Sequence, residues 1–533
     1  ENDNLEILPT EIINHCKISF SYLYIRALKT REIKKIMKHW LPSTDVLKNE
    51  EKLEKLVNTF TSYNLPNNAL SVHLYLWTVE NSDKKPINQA VLMEMYVELI
   101  LEKLNKENIY RNKFDFKNKV QLISMVAEKI LKKTDNIDFL TYTEFYGIIE
   151  EYLKNKVGFD LDVNVIIEYL LDRKIFSKNN KNEVRFSHIC FRHFFVAIRM
   201  KDNPAFKSYI LDEKRYFNYP KELDYYTGLV RSDLETFKLL YDRFKEVFEP
   251  MDFILDKINP DDYFNIILEK GKEQQEPIAR SVEIAEIKNG RPTDEVVEKQ
   301  YDEQLNKISK QKGQTKGIQE IDFDRIMLIM CNTLRNSEGI EDLELKRSAY
   351  NDIIKHNITY SILYTQVVIR YIIENKKLPP VIPSFINLED ILNNMPYKIQ
   401  HSLYTHLGTN KLSKVVLDKI KKDRKGESNT KSEIENFLSV SFYSDIQGNK
   451  FDVELRKLVK SAKTVPVQNY LLFKLTEYLH KRSKDGSDNE KLYLDLISDL
   501  KIRSQKLPKR VKGRIIKDLL EKKNQMTKFL KLE

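Results

Sequence analysis

The chain has 533 residues and a net charge of +10, with 41% apolar and 32% charged residues but only 13 Gly and 16 Pro. That length carries several domains, and glycine and proline below their usual share of roughly 7% and 5% argue for long helices joined by short loops, against a sheet-rich fold or a complete nucleotide-binding sheet domain. Three scattered cysteines, Cys16, Cys190 and Cys331, speak against a disulfide framework and fit reduced, packed thiols in a cytoplasmic protein. No apolar run is long enough to cross a membrane, and no signal peptide is expected. Because it begins at Glu1 rather than Met, the chain is expected to be part of a longer protein.

Residues 1–27 are expected to end a preceding domain, with Leu5-Glu6-Ile7-Leu8 and Ser21-Tyr22-Leu23-Tyr24-Ile25 as short strands. Residues 28–107 read as a small helical domain. Ile33, Ile36, Met37 and Trp40 recur at i, i+3, i+4 and i+7, the spacing of one helix face. Pro86 can open the next helix, where its missing N–H costs nothing. Met93, Val97, Ile100, Leu101 and Leu104 then continue an apolar face. Pro66, in Asn64-Leu65-Pro66, suits a helix start for the same reason.

Residues 108–205 suit a winged helix. Val120, Ile123, Ala127 and Ile130 mark its first helix, Phe145, Ile148, Ile149 and Tyr152 its second, and Val165, Ile166, Tyr169 and Leu170 its third. Lys174-Ile175-Phe176-Ser177 and Glu183-Val184-Arg185-Phe186 flank a polar, asparagine-rich stretch, Lys178 to Asn182, which reads as a hairpin tip. The third helix carries Asp160, Asp162, Glu168 and Asp172, which repel phosphate. An intramolecular role is therefore expected for this domain. It closes on Arg185 to Ala197, RFSHICFRHFFVA. Here Phe191, Phe194, Phe195 and Ile198 form one buried helix face, with His188 at the helix start.

Residues 206–533 are expected to form a mostly helical array, with apolar stripes at loose spacing like degenerate TPR-like repeats. Tyr216, Phe217, Tyr219, Tyr225 and Tyr226 near its start, and Tyr360, Tyr364 and Tyr371 later, are residue types that serve interfaces as well as cores. Gly271 to Glu320 and Lys421 to Glu433 read as polar loops. Near the end, Lys501, Arg503, Lys506, Lys509, Arg510, Lys512, Arg514 and Lys517 cluster around Leu507-Pro508. They form either a solvated helix face or an electrostatic site for an acidic partner or nucleic acid. Few aromatics interleave, so base stacking is not supported.

The chain contains no complete active site. No G-x-x-x-x-G-K-[ST] loop, H-E-x-x-H or zinc-like cysteine pairing occurs. His188/His193 and His401/His406 are each five apart, on different faces of a helix, so neither pair is a metal ligand set.

The phrase FSHICFRHFFVA resembles the end of the winged-helix domain in STAND ATPases, the NACHT and NB-ARC signalling class, whose members carry a phrase like F-x-H-x-x-F-Q-E-F-F-A-A. The match covers the histidine, the aromatics and the alanine, and departs at Arg192 and His193. The resemblance implies that His188 reaches the phosphates of bound ADP and that Pro66, at the place of the family's G-x-P motif, packs against adenine. It implies ATP/ADP with Mg2+ as cofactor, the phosphate loop lying outside this chain. Residues 1–27 become the end of a nucleotide-binding core, 28–107 its helical lid, 108–205 the winged helix and 206–533 a sensor array, where Tyr225-Tyr226-Thr227-Gly228-Leu229 resembles the first helical hairpin. The expected partners are an N-terminal ATPase core and effector domain, a protein ligand such as a phage protein, and further copies of the chain on activation. That describes the sensing part of a bacterial antiviral switch. The alternative is a non-enzymatic helical scaffold that binds nucleic acid or an acidic partner through its basic C-terminus.

Overall fold

The computed structural model describes residues 30–40, 88–103, 114–133, 138–156, 161–263, 323–375, 406–425, 432–483 and 486–531, with isolated positions between 28 and 76 and from 399 to 403. The strands expected before residue 28, Pro66, Pro86 and the Gly271–Glu320 stretch lie outside the described residues. Within them are eighteen α-helices and one three-stranded sheet, the mainly helical protein that the scarcity of glycine implies. The described residues divide into two compact units at Val230/Arg231.

The first unit contains α1 (Thr30–Trp40), α2 (Gln89–Glu98, ending in a π-turn at Leu99–Lys103), α3 (Phe116–Leu131), β1 (Leu140–Thr141), α4 (Tyr142–Lys154) and α5 (Val163–Asp172). It continues through β2 (Phe176–Lys178), β3 (Glu183–Phe186), α6 (Ile189–Asp202), α7 (Pro204–Ile210) and α8 (Pro220–Leu229). Its helices begin where short polar side chains satisfy the first free amides. Asp115 accepts from Asn118 N at 2.8 Å, and Thr141 and Glu144 form a reciprocal capping box that starts α4. The strands pair antiparallel in the order β1-β3-β2, with Leu140 opposite Val184 and Phe176 opposite Phe186. At the hairpin tip Asn179 Oδ1 accepts from the amides of Lys181 and Glu183, and Asn182 takes φ +58°, a left-handed conformation that asparagine tolerates.

Most of the expected apolar stripes are buried. Phe145, Ile148, Ile149 and Tyr152 line the inner side of α4, and Phe191, Phe194, Phe195 and Ile198 that of α6. In α5 the buried set is Val163, Ile166, Ile167 and Leu170, rotated from the expected face. Tyr169 sits at the boundary because its hydroxyl donates to Leu101 O at the end of α2 and Lys119 lies over its ring. Tyr216, Phe217, Tyr225 and Tyr226 are core residues of this unit, so their aromatic surface serves packing.

Helices α2 and α8 meet at a glycine. Asn88 Nδ2 donates to Gly228 O at 2.8 Å while its Oδ1 caps α2 through Val91 N at 2.9 Å. A Cβ added at Gly228 would lie 2.8 Å from Ala90 Cβ, closer than two carbons pack.

The second unit contains α9 (Leu234–Phe248), α10 (Phe253–Lys257), α11 (Phe323–Arg335), α12 (Leu343–Asn375) and α13 (Ser413–Lys425). It ends with α14 (Glu433–Asp445), α15 (Phe451–Ser461), α16 (Val465–Arg482), α17 (Asp488–Ser504) and α18 (Lys512–Lys531). Its helices pack chiefly on neighbours one or two places along the chain. Every residue of α14 from Phe437 to Asp445 is buried, and its first amides are capped from far away, by the Asp261 carboxylate 2.6 Å from Glu433 N. Glu433 in turn accepts from Thr464 N at 2.9 Å at the start of α16. Of the expected Lys421–Glu433 loop, residues 421–425 instead complete α13 and Glu433 opens α14. No described helix is long and apolar enough to cross a membrane.

Filling the contact at Gly228 should be costly. Gly228→Val is expected to destabilise the first unit by about 1–3 kcal/mol, the usual cost of overpacking. Ala90→Gly in the same chain should recover part of that loss, because it removes the atom the new side chain meets. Chemical denaturation of the two single variants and the double variant measures both; strict additivity would mean the two positions do not touch.

Candidate functional site

The site is built by the way α6 leaves the sheet. After β3, Ser187 N donates to Ile175 O at 2.9 Å, closing the hairpin. His188 remains extended at φ −137° and ψ 136°, and α6 starts at the next residue. Three phenylalanines then fix the rotation of the helix, each against a different element. Phe195 stacks on Phe186 at 6.0 Å, and Phe186 leads through Phe176 at 4.5 Å to Phe145 at 5.0 Å. Phe194 meets Tyr225 of α8 edge-on at 5.9 Å, and Phe191 stacks on Tyr96 of α2 at 6.0 Å. Such pairs each contribute about 0.5–1.5 kcal/mol beyond the area they bury. Rotating α6 would break contacts in three directions at once.

Two side-chain contacts fasten the same helix from its polar side. His193 Nδ1 lies 2.6 Å from Glu222 Oε1 of α8. Burial alone would push the Glu222 carboxyl up, but His193 and then Arg192 hold it below the ordinary carboxylate value. Arg199 Nε donates to Glu128 Oε2 of α3 at 2.6 Å, and Lys132 takes the other oxygen at 2.6 Å. Against the opposing effect of burial, these two cations likewise keep Glu128 ionised.

With the helix so fixed, His188 stands at its positive end. The imidazole lies 5.7 Å from the Phe191 ring, is half-buried and makes no capping bond to the first amides of α6. Burial pushes it down to about 4, so it is neutral near pH 7. Within one turn, Ser187 Oγ and Arg192 Nε are buried with no hydrogen-bond partner, and Ile189 is exposed. A helix end that lacks a side-chain acceptor favours an anion. A neutral imidazole can donate one hydrogen bond, and an adjacent negative charge would raise its pKa and strengthen that bond. The arrangement fits an anionic oxygen.

Of the two residues singled out in the sequence for nucleotide, His188 occupies this position and Pro66 lies outside the described residues. Among the described residues no group of three or more His, Cys, Asp or Glu is arranged to hold a metal. Cys190 is buried, and burial pushes its thiol up to about 12, so it is not a nucleophile at neutral pH. Sequence reasoning missed the His193–Glu222 pair, Ser187 and the Asn88–Gly228 contact. Gly228 had a readable signal, since an isolated glycine inside a helical pattern usually has a packing reason. The partner of His193 lies on another helix and left no trace in spacing.

A family model described as Novel STAND NTPase 4 matches residues 138–196. The matched segment begins just before β1 and ends inside α6, so it contains the sheet, His188 and Phe191–Phe195. It supports a relationship to STAND-class NTPases. No curated protein and no solved structure gives a significant match.

The neutral state of His188 has a pH signature. Its folded pKa of about 4 lies below the ordinary 6.5, so between these values the unfolded chain binds the proton more readily, and stability rises as pH rises through that window. Denaturation at about pH 5 and about pH 7 should show wild type losing about 1–2 kcal/mol more than His188→Gln on acidification. Equal losses in the two proteins would mean that His188 is not held neutral.

Proposed function

We propose that this chain is the regulatory and ligand-sensing portion of a STAND-class NTPase used in bacterial antiviral defence. In this reading residues 1–27 end the nucleotide-binding core, 28–107 are the helical lid, 108–205 the winged-helix domain and 206–533 a TPR-like sensor array. The observation that carries it is His188. Its imidazole is neutral and makes no capping bond at the start of α6, inside the segment that matches a STAND family model.

The order helix–strand–helix–helix–hairpin of α3 to β3 supports the winged-helix assignment. Glu168 and Asp172, exposed on its third helix, support a role within the protein rather than on DNA. Adenine nucleotide, when bound, supplies a chain of phosphates that needs hydrogen-bond donors. On this side of the site His188 would donate to the terminal phosphate of ADP and Pro66 would pack against adenine, while Mg2+ would be held with the phosphate loop outside this chain. Because α6 is fixed to α2, α3 and α8 by the contacts above, a bond from His188 to nucleotide would couple those helices to the core. Release of that bond would free them together.

The sensing assignment rests on the neighbour-to-neighbour packing of the second unit, a pattern that spreads contacts over an extended surface rather than into one pocket. We assign to it a folded protein ligand, a phage protein in the defence reading. Binding there would shift the resting state toward ATP exchange, self-assembly and activation of an attached effector domain.

The test is ADP affinity in the protein that includes its NTPase core. Loss of one hydrogen bond to a charged group is worth about 1.5–3 kcal/mol, so His188→Ala should weaken ADP binding about 10- to 150-fold and raise signalling without ligand. Unchanged affinity together with unchanged basal signalling would return His188 to a packing role.

A further inference from the structure

A second charged feature stands far from His188 in the sequence, in the turn between α17 and α18. Residues 501–517 contain eight Lys and Arg and no Asp or Glu. Six of these cations fall into two groups, while Lys517 pairs with Glu521 within α18 at 3.8 Å. Some hold the turn in place. The Arg503 guanidinium donates to Lys460 O at 2.8 Å and to Val459 O, at the end of α15. Lys512 Nζ donates to Asp495 at 2.6 Å and to Asp499 at 2.5 Å. Arg456 also pairs with Asp495, at 3.1 Å, so the acids of α17 nearest this turn are already neutralised.

The turn itself is closed by backbone bonds, Leu507 N to Ile502 O at 2.8 Å and Val511 N to Pro508 O at 3.1 Å, with Lys506 in the left-handed region at φ +52°. The second group is Lys506, Lys509, Arg510 and Arg514, all exposed and, among the described residues, in no ion pair. They surround the start of α18, a helix of twenty residues whose positive end adds to their field. Four free cations on an internally braced turn form a preorganised anionic-partner surface that loses little entropy on binding.

We propose that this turn binds the phosphodiester backbone of double-stranded nucleic acid without sequence preference. The chemistry of the patch selects this partner over three others. A protein interface is anchored by buried aromatic or apolar groups and is depleted in lysine at its centre, whereas residues 501–517 contain no aromatic and their exposed apolar side chains are Leu507 and Pro508. Single strands are held largely by stacking on aromatics, which are lacking here. A membrane-surface helix needs an exposed apolar face, whereas none of the large apolar side chains of α18 among the described residues is exposed. What remains is contact with phosphates alone, which positions a duplex without reading its bases. The inference does not depend on His188 or on the STAND assignment, and the failure of either leaves the other standing.

The experiment is fluorescence anisotropy of the 533-residue chain with a labelled DNA duplex of about 20 base pairs, titrated from about 50 to about 200 mM salt. Four phosphate contacts predict a log–log salt slope of about −3.6 and a loss of affinity of roughly 150-fold over that range. The fourfold variant K506E/K509E/R510E/R514E should bind at least a hundredfold more weakly at the lower salt, with its melting temperature unchanged. A parallel set with glutamine at the same four positions, which adds no repulsion, should also lose the salt dependence. The proposal is overturned by failure to bind duplex at about 50 mM salt, by full affinity in either fourfold variant, by tighter binding to the single strand, or by binding to phosphatidylserine vesicles without binding to duplex.

Discussion

The packing of α6 is the constraint on which the first unit depends. Phe191, Phe194 and Phe195 lie on one helix face but contact three elements, α2, α8 and the sheet. A helix held by one neighbour can slide or rotate at modest cost; one held by three cannot. The side-chain contacts of His193 with Glu222 and of Arg199 with Glu128 act on the same body and specify its orientation further. They are buried or partly buried pairs, whose attraction is offset by desolvation, so their contribution lies more in specificity than in raw stability.

This rigidity explains why a poorly satisfied group persists at the start of the helix. A serine, threonine or aspartate at position 188 would cap α6 and stabilise it by about 1 kcal/mol. The chain instead carries a histidine that makes no capping bond and is held neutral by burial. Ser187 Oγ beside it is also buried without a partner. The surrounding packing over-determines the position, which is the circumstance in which locally unfavourable features survive at functional sites. In the proposed switch, the stability forgone in the isolated chain is recovered when an anion arrives.

Much of this was legible in the sequence because it is periodic. The stripe of α6, the stripe of α4 and the strand Glu183–Phe186 follow from the local pattern, while the strand before the turn runs Phe176–Lys178, shifted from the expected Lys174–Ser177, and the scarcity of glycine anticipates the helical architecture. What was not legible arises from contacts distant in the chain. The strand Leu140–Thr141 is too short to show alternation. Tyr169 leaves the buried face of its helix because its hydroxyl finds Leu101 O, a partner no local pattern reveals. Asp261 caps a helix that begins at Glu433, and the aromatics Tyr225 and Tyr226, whose composition suits an interface equally well, turn out to fill a core. For His188 the sequence supplied position and resemblance, while its neutrality and missing cap required the structure.

The two units therefore present different chemistry. The first concentrates an unsatisfied donor at a rigid helix end; the second carries neighbour-packed helices and a basic turn. The most direct test of the account is the pKa of His188 itself, followed by NMR of labelled histidine nitrogens in the chain joined to the NTPase core that the proposed function assigns to it. Without nucleotide the account predicts a value near 4. With ADP bound, the adjacent phosphate should stabilise the imidazolium and carry the value above the ordinary 6.5. A pKa that stays near 4 in the ADP-bound protein would contradict it.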